Sequence, residues 1–143
     1  MKINKHRNLN RSIFLIKCFV FILLTLGLSS CTKSDPTPVE EAITFTINPD
    51  PGSTIYAALG TTQDFSISIT SKLPAAGVKI DLSLTKDLDG STVFSQSLNS
   101  TLQNVTASFQ NLASGVVCSG TIKIVSLTTS TNTSSKTFKI AKK

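Results

Sequence analysis

From Ile43 onward the apolar residues of this chain recur at every second position in short runs. That spacing suits β-strands and argues against amphipathic helices. Ile43, Phe45 and Ile47 form the first set, and Asn48-Pro49-Asp50-Pro51-Gly52 then turns the chain. A short segment follows from Ile55 to Leu59. Phe65, Ile67 and Ile69 alternate with Asp64, Ser66, Ser68 and Thr70, and Val78, Ile80, Leu82 and Leu84 alternate with Lys79, Asp81, Ser83 and Thr85. Asp87-Leu88-Asp89-Gly90 reads as a hairpin turn into a strand from Val93 to Leu98. Val105, Ala107 and Phe109, then Ile122 and Ile124, then Phe138 and Ile140 complete the inward sets. Each run is apolar on one face and rich in Ser, Thr or charge on the other, as in a strand with one side buried and one side in water. Seven or eight such strands in about 100 residues predict an all-β fold: an antiparallel immunoglobulin-like β-sandwich of about seven strands over residues 43–143.

One local pattern sharpens the prediction. Leu112-Ala113-Ser114-Gly115-Val116-Val117-Cys118 resembles the stretch that leads into the F strand of fibronectin type III domains, where a Leu precedes, at this spacing, a Tyr that pins the corner. Leu112 matches that pattern, Cys118 stands where the Tyr would be, and Ser114 stands where a Pro is usual. The departure removes the hydroxyl that would make the corner hydrogen bond. With no Trp in the chain and no second Cys in the domain, such a sandwich has to rest on apolar packing.

The first thirty residues carry a different message. Lys2, Lys5, Arg7, Arg11 and Lys17 precede the apolar run Cys18 to Leu28. A basic segment followed by a short apolar one is the layout of a secretory signal. As a helix the run would span only about 16 Å, roughly half the hydrocarbon thickness of a bilayer. Directly after it, Leu28-Ser29-Ser30-Cys31 matches a bacterial lipobox, and residues 1–31 resemble the signal region of a bacterial lipoprotein. The resemblance implies a signal peptide over residues 1–30, a diacylglycerol thioether on Cys31 and a membrane anchor through that lipid. Thr32 stands where Asp would imply inner-membrane retention, so the resemblance implies the outer membrane. Thr32-Lys33-Ser34-Asp35 is also similar to the short charged export tags of Bacteroidota surface lipoproteins, which implies surface exposure. Residues 31–42, with Pro36 and Pro38, read as the lipidated Cys and an extended tether.

The formal charge of the whole chain is +6, which by itself would suggest a nucleic-acid partner. Beyond residue 30, however, nine lysines face eight carboxylates, and no Arg or His remains. Nucleic acid is therefore not expected as a partner. The same absence of His leaves no Ser-His-Asp triad, no Cys–His dyad and no His-based zinc site. Neither enzyme activity, nor a metal, nor a cofactor is expected. Cys118, flanked by apolar or small residues, reads as a buried small hydrophobe.

The expected role is that of a non-catalytic binding or structural module, with the membrane as one partner and an envelope protein or a glycan as another. The alternative is a glycan-binding accessory lipoprotein of a surface polysaccharide-capture system. Of the aromatic residues in the domain, only Tyr56 lies off the inward positions and is available to stack on a sugar. Asp87 and Asp89 are its only close carboxylate pair, a fragment of the D-x-D-G pattern of calcium loops whose later ligands are missing, since Ser91, Thr92 and Val93 follow. The polar run Thr128 to Ser135 reads as the final hairpin loop. The N-glycosylation pattern at Asn99, Asn104 and Asn132 is expected to be idle in a bacterial protein.

Overall fold

A computed structural model describes residues 39–143. They form eight strands: β1 (Phe45–Asn48), β2 (Tyr56–Ala58), β3 (Gln63–Ile69), β4 (Val78–Lys86), β5 (Thr92–Ser100), β6 (Asn104–Phe109), β7 (Val117–Ser126) and β8 (Thr133–Lys142). A three-stranded sheet in the order β1-β3-β6 packs on a five-stranded sheet in the order β2-β8-β7-β4-β5. The described residues are thus an all-β, immunoglobulin-like β-sandwich, as the alternation predicts.

The inward sets supply the core. Phe65, Ile67, Val78, Ile80, Leu84, Phe109, Ile122, Ile124 and Ile140 have no solvent exposure, and their strand neighbours face water. Three rings join the two sheets. Phe65 of β3 and Phe109 of β6 meet edge to face at 5.9 Å, and Phe138 of β8 lies 5.2 Å from the first and 5.8 Å from the second. Each such pair contributes about 0.5–1.5 kcal/mol beyond the area it buries. Gly120 makes room for this cluster, because a Cβ there would sit 3.1 Å from the Phe138 ring.

The pairing departs from a purely antiparallel sandwich around β8, where Ser114 also makes an isolated parallel bridge to Lys142. β2 runs parallel to β8, with Tyr56 opposite Ile140 and Ala58 opposite Lys142. The cause is the turn-forming stretch around Pro49, Pro51 and Gly52. It interrupts the first strand, and the chain resumes in the same direction on the other sheet. The first strand thereby belongs to both sheets, and its second half covers part of an edge that β8 would otherwise leave open.

The loops gather at two poles. At one lie the entering segment Val39–Thr44, the β3–β4 loop, the β5–β6 turn and the β7–β8 loop, linked by backbone hydrogen bonds such as Thr70 to Thr44, Ile69 to Gln103 and Leu127 to Gly77. At the other lie the β2–β3 loop, the β4–β5 turn, the β6–β7 loop and the C-terminal residues, linked by Leu112 to Thr61, Asp87 to Val117 and Lys143 to Ala58. Among the described residues, no helix is long and apolar enough to cross a membrane.

Candidate functional site

The most elaborate polar arrangement of the domain lies where the chain enters it. Asn132, in the β7–β8 loop, donates through Nδ2 to Glu40 Oε2 at 2.9 Å and to the Glu41 carbonyl at 2.8 Å. Its Oδ1 accepts from the Ile43 N–H at 3.0 Å. The Ser126 hydroxyl donates to Glu40 Oε1 at 3.0 Å and accepts from the Thr128 and Thr129 N–H groups, also at 3.0 Å. From the β3–β4 loop, the Ser71 hydroxyl accepts from the Thr44 N–H at 3.2 Å, and the Lys72 N–H donates to Glu41 Oε2 at 3.1 Å. Ser71 and Ser126 are the two buried polar residues among those described. Burial is tolerable for them because each hydroxyl has partners. The hydrogen bonds from Asn132, and then from Ser126, hold the Glu40 carboxyl below its ordinary range.

Chemically, this arrangement is a buckle. It spends its donors and acceptors on the chain's own entering backbone and fastens the segment from Glu40 to Thr44 across two loops. The residues placed at the end of the tether by sequence, Glu40 and Glu41, are thus tied to the sandwich by their side chains. The run Thr128–Ser135, read as a plain hairpin loop, supplies the buckle's other half. Asn132 enters the sequence reading only through an idle N-glycosylation pattern, and its part in the buckle is what sequence reasoning missed. Its partners lie 89 to 92 positions away, and nothing in a Ser/Thr-rich loop distinguishes it beforehand.

The residues singled out by sequence fall elsewhere. Tyr56 is half-buried on β2, its ring 5.5 Å from that of Phe65, and it packs against the core. Asp87 and Asp89 share the β4–β5 turn but serve different partners. Asp87 accepts from Lys139 Nζ at 2.6 Å and from the Ser119 hydroxyl at 2.7 Å. Those bonds, Lys139 first, lower its pKa. Asp89 accepts from the Ser91 N–H at 2.9 Å inside the turn, and the Ser91 hydrogen bonds lower its pKa as well. Asp81 is raised by burial, but hydrogen bonds from Ser97 and Lys79 outweigh that and leave it lowered. Among the described residues no group of three His, Cys, Asp or Glu side chains is placed to hold a metal ion. Cys118 points into the core from β7 with 1% exposure, and burial pushes its thiol pKa up, away from the reactive thiolate. Leu112, its partner in the fibronectin-like stretch, is buried too. Leu28, Ser29, Ser30 and Cys31 lie outside the described residues, as do the rest of the signal-like region and the charged stretch after it.

Compared with models of protein families, the chain matches none, and a comparison with curated proteins finds no match. Its class therefore comes from architecture: an immunoglobulin-like β-sandwich with a fastened entrance.

Proposed function

We propose that this chain is a lipid-anchored protein of the bacterial cell envelope, held at the outer membrane through Cys31, whose sandwich serves as a non-catalytic binding or structural module. The observation that carries this reading is Leu28-Ser29-Ser30-Cys31, placed directly after a basic segment and a short apolar run. A thiol is what lipid transfer at that position needs, since sulfur is the nucleophile. Two or three acyl chains hold a protein stably, at about 0.8 kcal/mol for each buried methylene.

The entering segment is fastened to the sandwich at Glu40, Glu41 and Ile43, so one pole is occupied by the chain's own entrance and the far-pole loops and sheet edges are left for a partner. The carboxylates a catalytic site would draw on are committed: Asp87 to Lys139 and Ser119, Asp81 to Ser97 and Lys79.

Replacing Cys31 with Ala tests the anchor. The variant should lose incorporation of labelled fatty acid and keep residues 1–30 uncleaved. If the variant takes up labelled fatty acid as the parent does, or the parent takes up none, the lipoprotein reading is wrong.

A further inference from the structure

We propose that β5 is a self-pairing edge, through which two copies of this chain join their five-stranded sheets into one continuous sheet about a twofold axis at Gln96. Among the described residues β5 is the outermost strand of its sheet, with β4 on one side and no strand on the other. It is nine residues long, about 30 Å at the rise of an extended strand. Exposed edges are normally blunted by Lys, Pro, short length or inward charge. The β2 edge of the same sheet is only three residues long. Thr92-Val93-Phe94-Ser95-Gln96-Ser97-Leu98-Asn99-Ser100 carries no charge and no proline. Its one protection is a bulge at Val93, whose carbonyl accepts from Asn111 Nδ2, and the strand from Phe94 onward is regular.

From Phe94 to Leu98 the sequence of β5 is nearly symmetric about Gln96. Antiparallel pairing of two copies about that residue sets Ser95 against Ser97 and Phe94 against Leu98, with Gln96 against itself, and the bulge at Val93 ends the regular register. The faces agree as well. Phe94, Gln96 and Leu98 lie opposite Leu84, Leu82 and Ile80 of β4 and so share the core side, while Ser95 and Ser97 lie on the outer side opposite Ser83 and Asp81. Phe94 and Leu98 are only half-buried, because β5 reaches the rim of the sandwich, although Phe94 still meets the Phe109 ring at 6.2 Å. In the paired state each of them gains an apolar neighbour across the new ladder. A slip of one residue would bring the core face of one copy level with the outer face of the other, and a slip of two would set Phe94 against Gln96 or Ser100. The Gln96-centred register is thus the one that keeps the faces aligned and pairs apolar with apolar. With no charge on the strand, no like charges oppose one another across the axis. The partner that fits this edge is a second copy of the chain, and the pairing is independent of whether Cys31 carries lipid.

The test uses the full-length chain in mild detergent, with folding of each variant checked by circular dichroism. Residues opposite one another across an antiparallel ladder have Cα atoms about 4.5–5.5 Å apart, within disulfide range. Gln96→Cys should therefore give mainly disulfide-linked dimer under mild oxidation. Lys123→Cys, exposed on β7, the middle strand of the same sheet, and the parent chain with its native cysteines set the background. In sedimentation, Gln96→Lys and Gln96→Glu should each weaken self-association by up to about fivefold, and mixing the two should restore it. The proposal is overturned if Gln96→Cys crosslinks no more than Lys123→Cys, or if the charge variants associate like the parent and their mixture behaves no differently.

Discussion

The two poles of the sandwich are built on opposite plans. At the entrance, side chains from three segments converge: Glu40 and Glu41 from the incoming chain, Ser71 from the β3–β4 loop, and Ser126 and Asn132 around the β7–β8 loop. At the far pole the β2–β3 loop and the β4–β5 turn carry Leu59 and Leu88 at 87% and 95% exposure, and the long-range side-chain tie of that turn runs from Asp87 to Lys139 and Ser119 on the exposed face of the sheet. The entrance fastens the incoming chain through buried hydroxyls, whereas the far pole leaves its loop tips in water.

A matched pair of glycines offers the largest test. Gly77, at the entrance pole, has φ of +82°, and a Cβ there would collide with the Ser100 carbonyl oxygen. Gly77→Ala combines left-handed strain with a backbone clash and should cost about 3 kcal/mol or more in urea unfolding. Gly90, in the β4–β5 turn, has φ of +70° with open space around its Cβ position. Gly90→Ala should lose only the strain, about 1–2 kcal/mol. Equal losses in the two variants would erase the contrast between the poles.

Asn132→Ala comes next, because it removes two donors to the incoming chain and strands the Ile43 N–H. A loss of about 2–3 kcal/mol is expected. Hydrogen exchange should speed up at Ile43 while Leu112, tied at the far pole, keeps its protection. Uniform loss of protection would mean the buckle is not a local device.

Acid sharpens the comparison further. Glu40 is lowered in the folded state from an ordinary 4.5, so the unfolded chain binds more protons as pH falls through that range. Its contribution is fully present above about 4.5 and is lost as pH falls through its folded value. Asp87 behaves in the same sense from an ordinary 3.8, at the far pole. Glu40→Gln should flatten the upper part of the acid limb of a stability–pH curve, and Asp87→Asn the lower part. Identical curves for the two variants would contradict the assignment. The smallest effect is reserved for Leu88→Ser, expected within about 0.5 kcal/mol of the parent.

Much of the fold was legible in the alternation because burial in a sandwich is decided residue by residue. Ile67, Ile80, Leu84 and Ile124 were read as inward from their neighbours alone, and they are buried. β5 was harder. Its period is muted because a strand at the rim half-covers its inward side chains, so Phe94 and Leu98 alternate with serines but never become fully dry. The parallel contact of β2 with β8 was not readable, since it joins Tyr56 to Ile140 and no local pattern encodes so distant a partner. The buckle escaped for the same reason. Carboxamides and hydroxyls look alike in a solvated loop and in a satisfied network, and only the fold distinguishes the two.

The division of the first strand between the two sheets also decides how the domain bears load. Tension between the incoming chain and the C-terminus would draw β2 and β8 past each other in opposite directions. Because they run parallel, the rungs from Tyr56–Ile140 to Ala58–Lys142, with the Lys143 to Ala58 hydrogen bond beyond them, would be strained together instead of parting one after another like a zip. The shortest of the described strands is the one set to resist in shear.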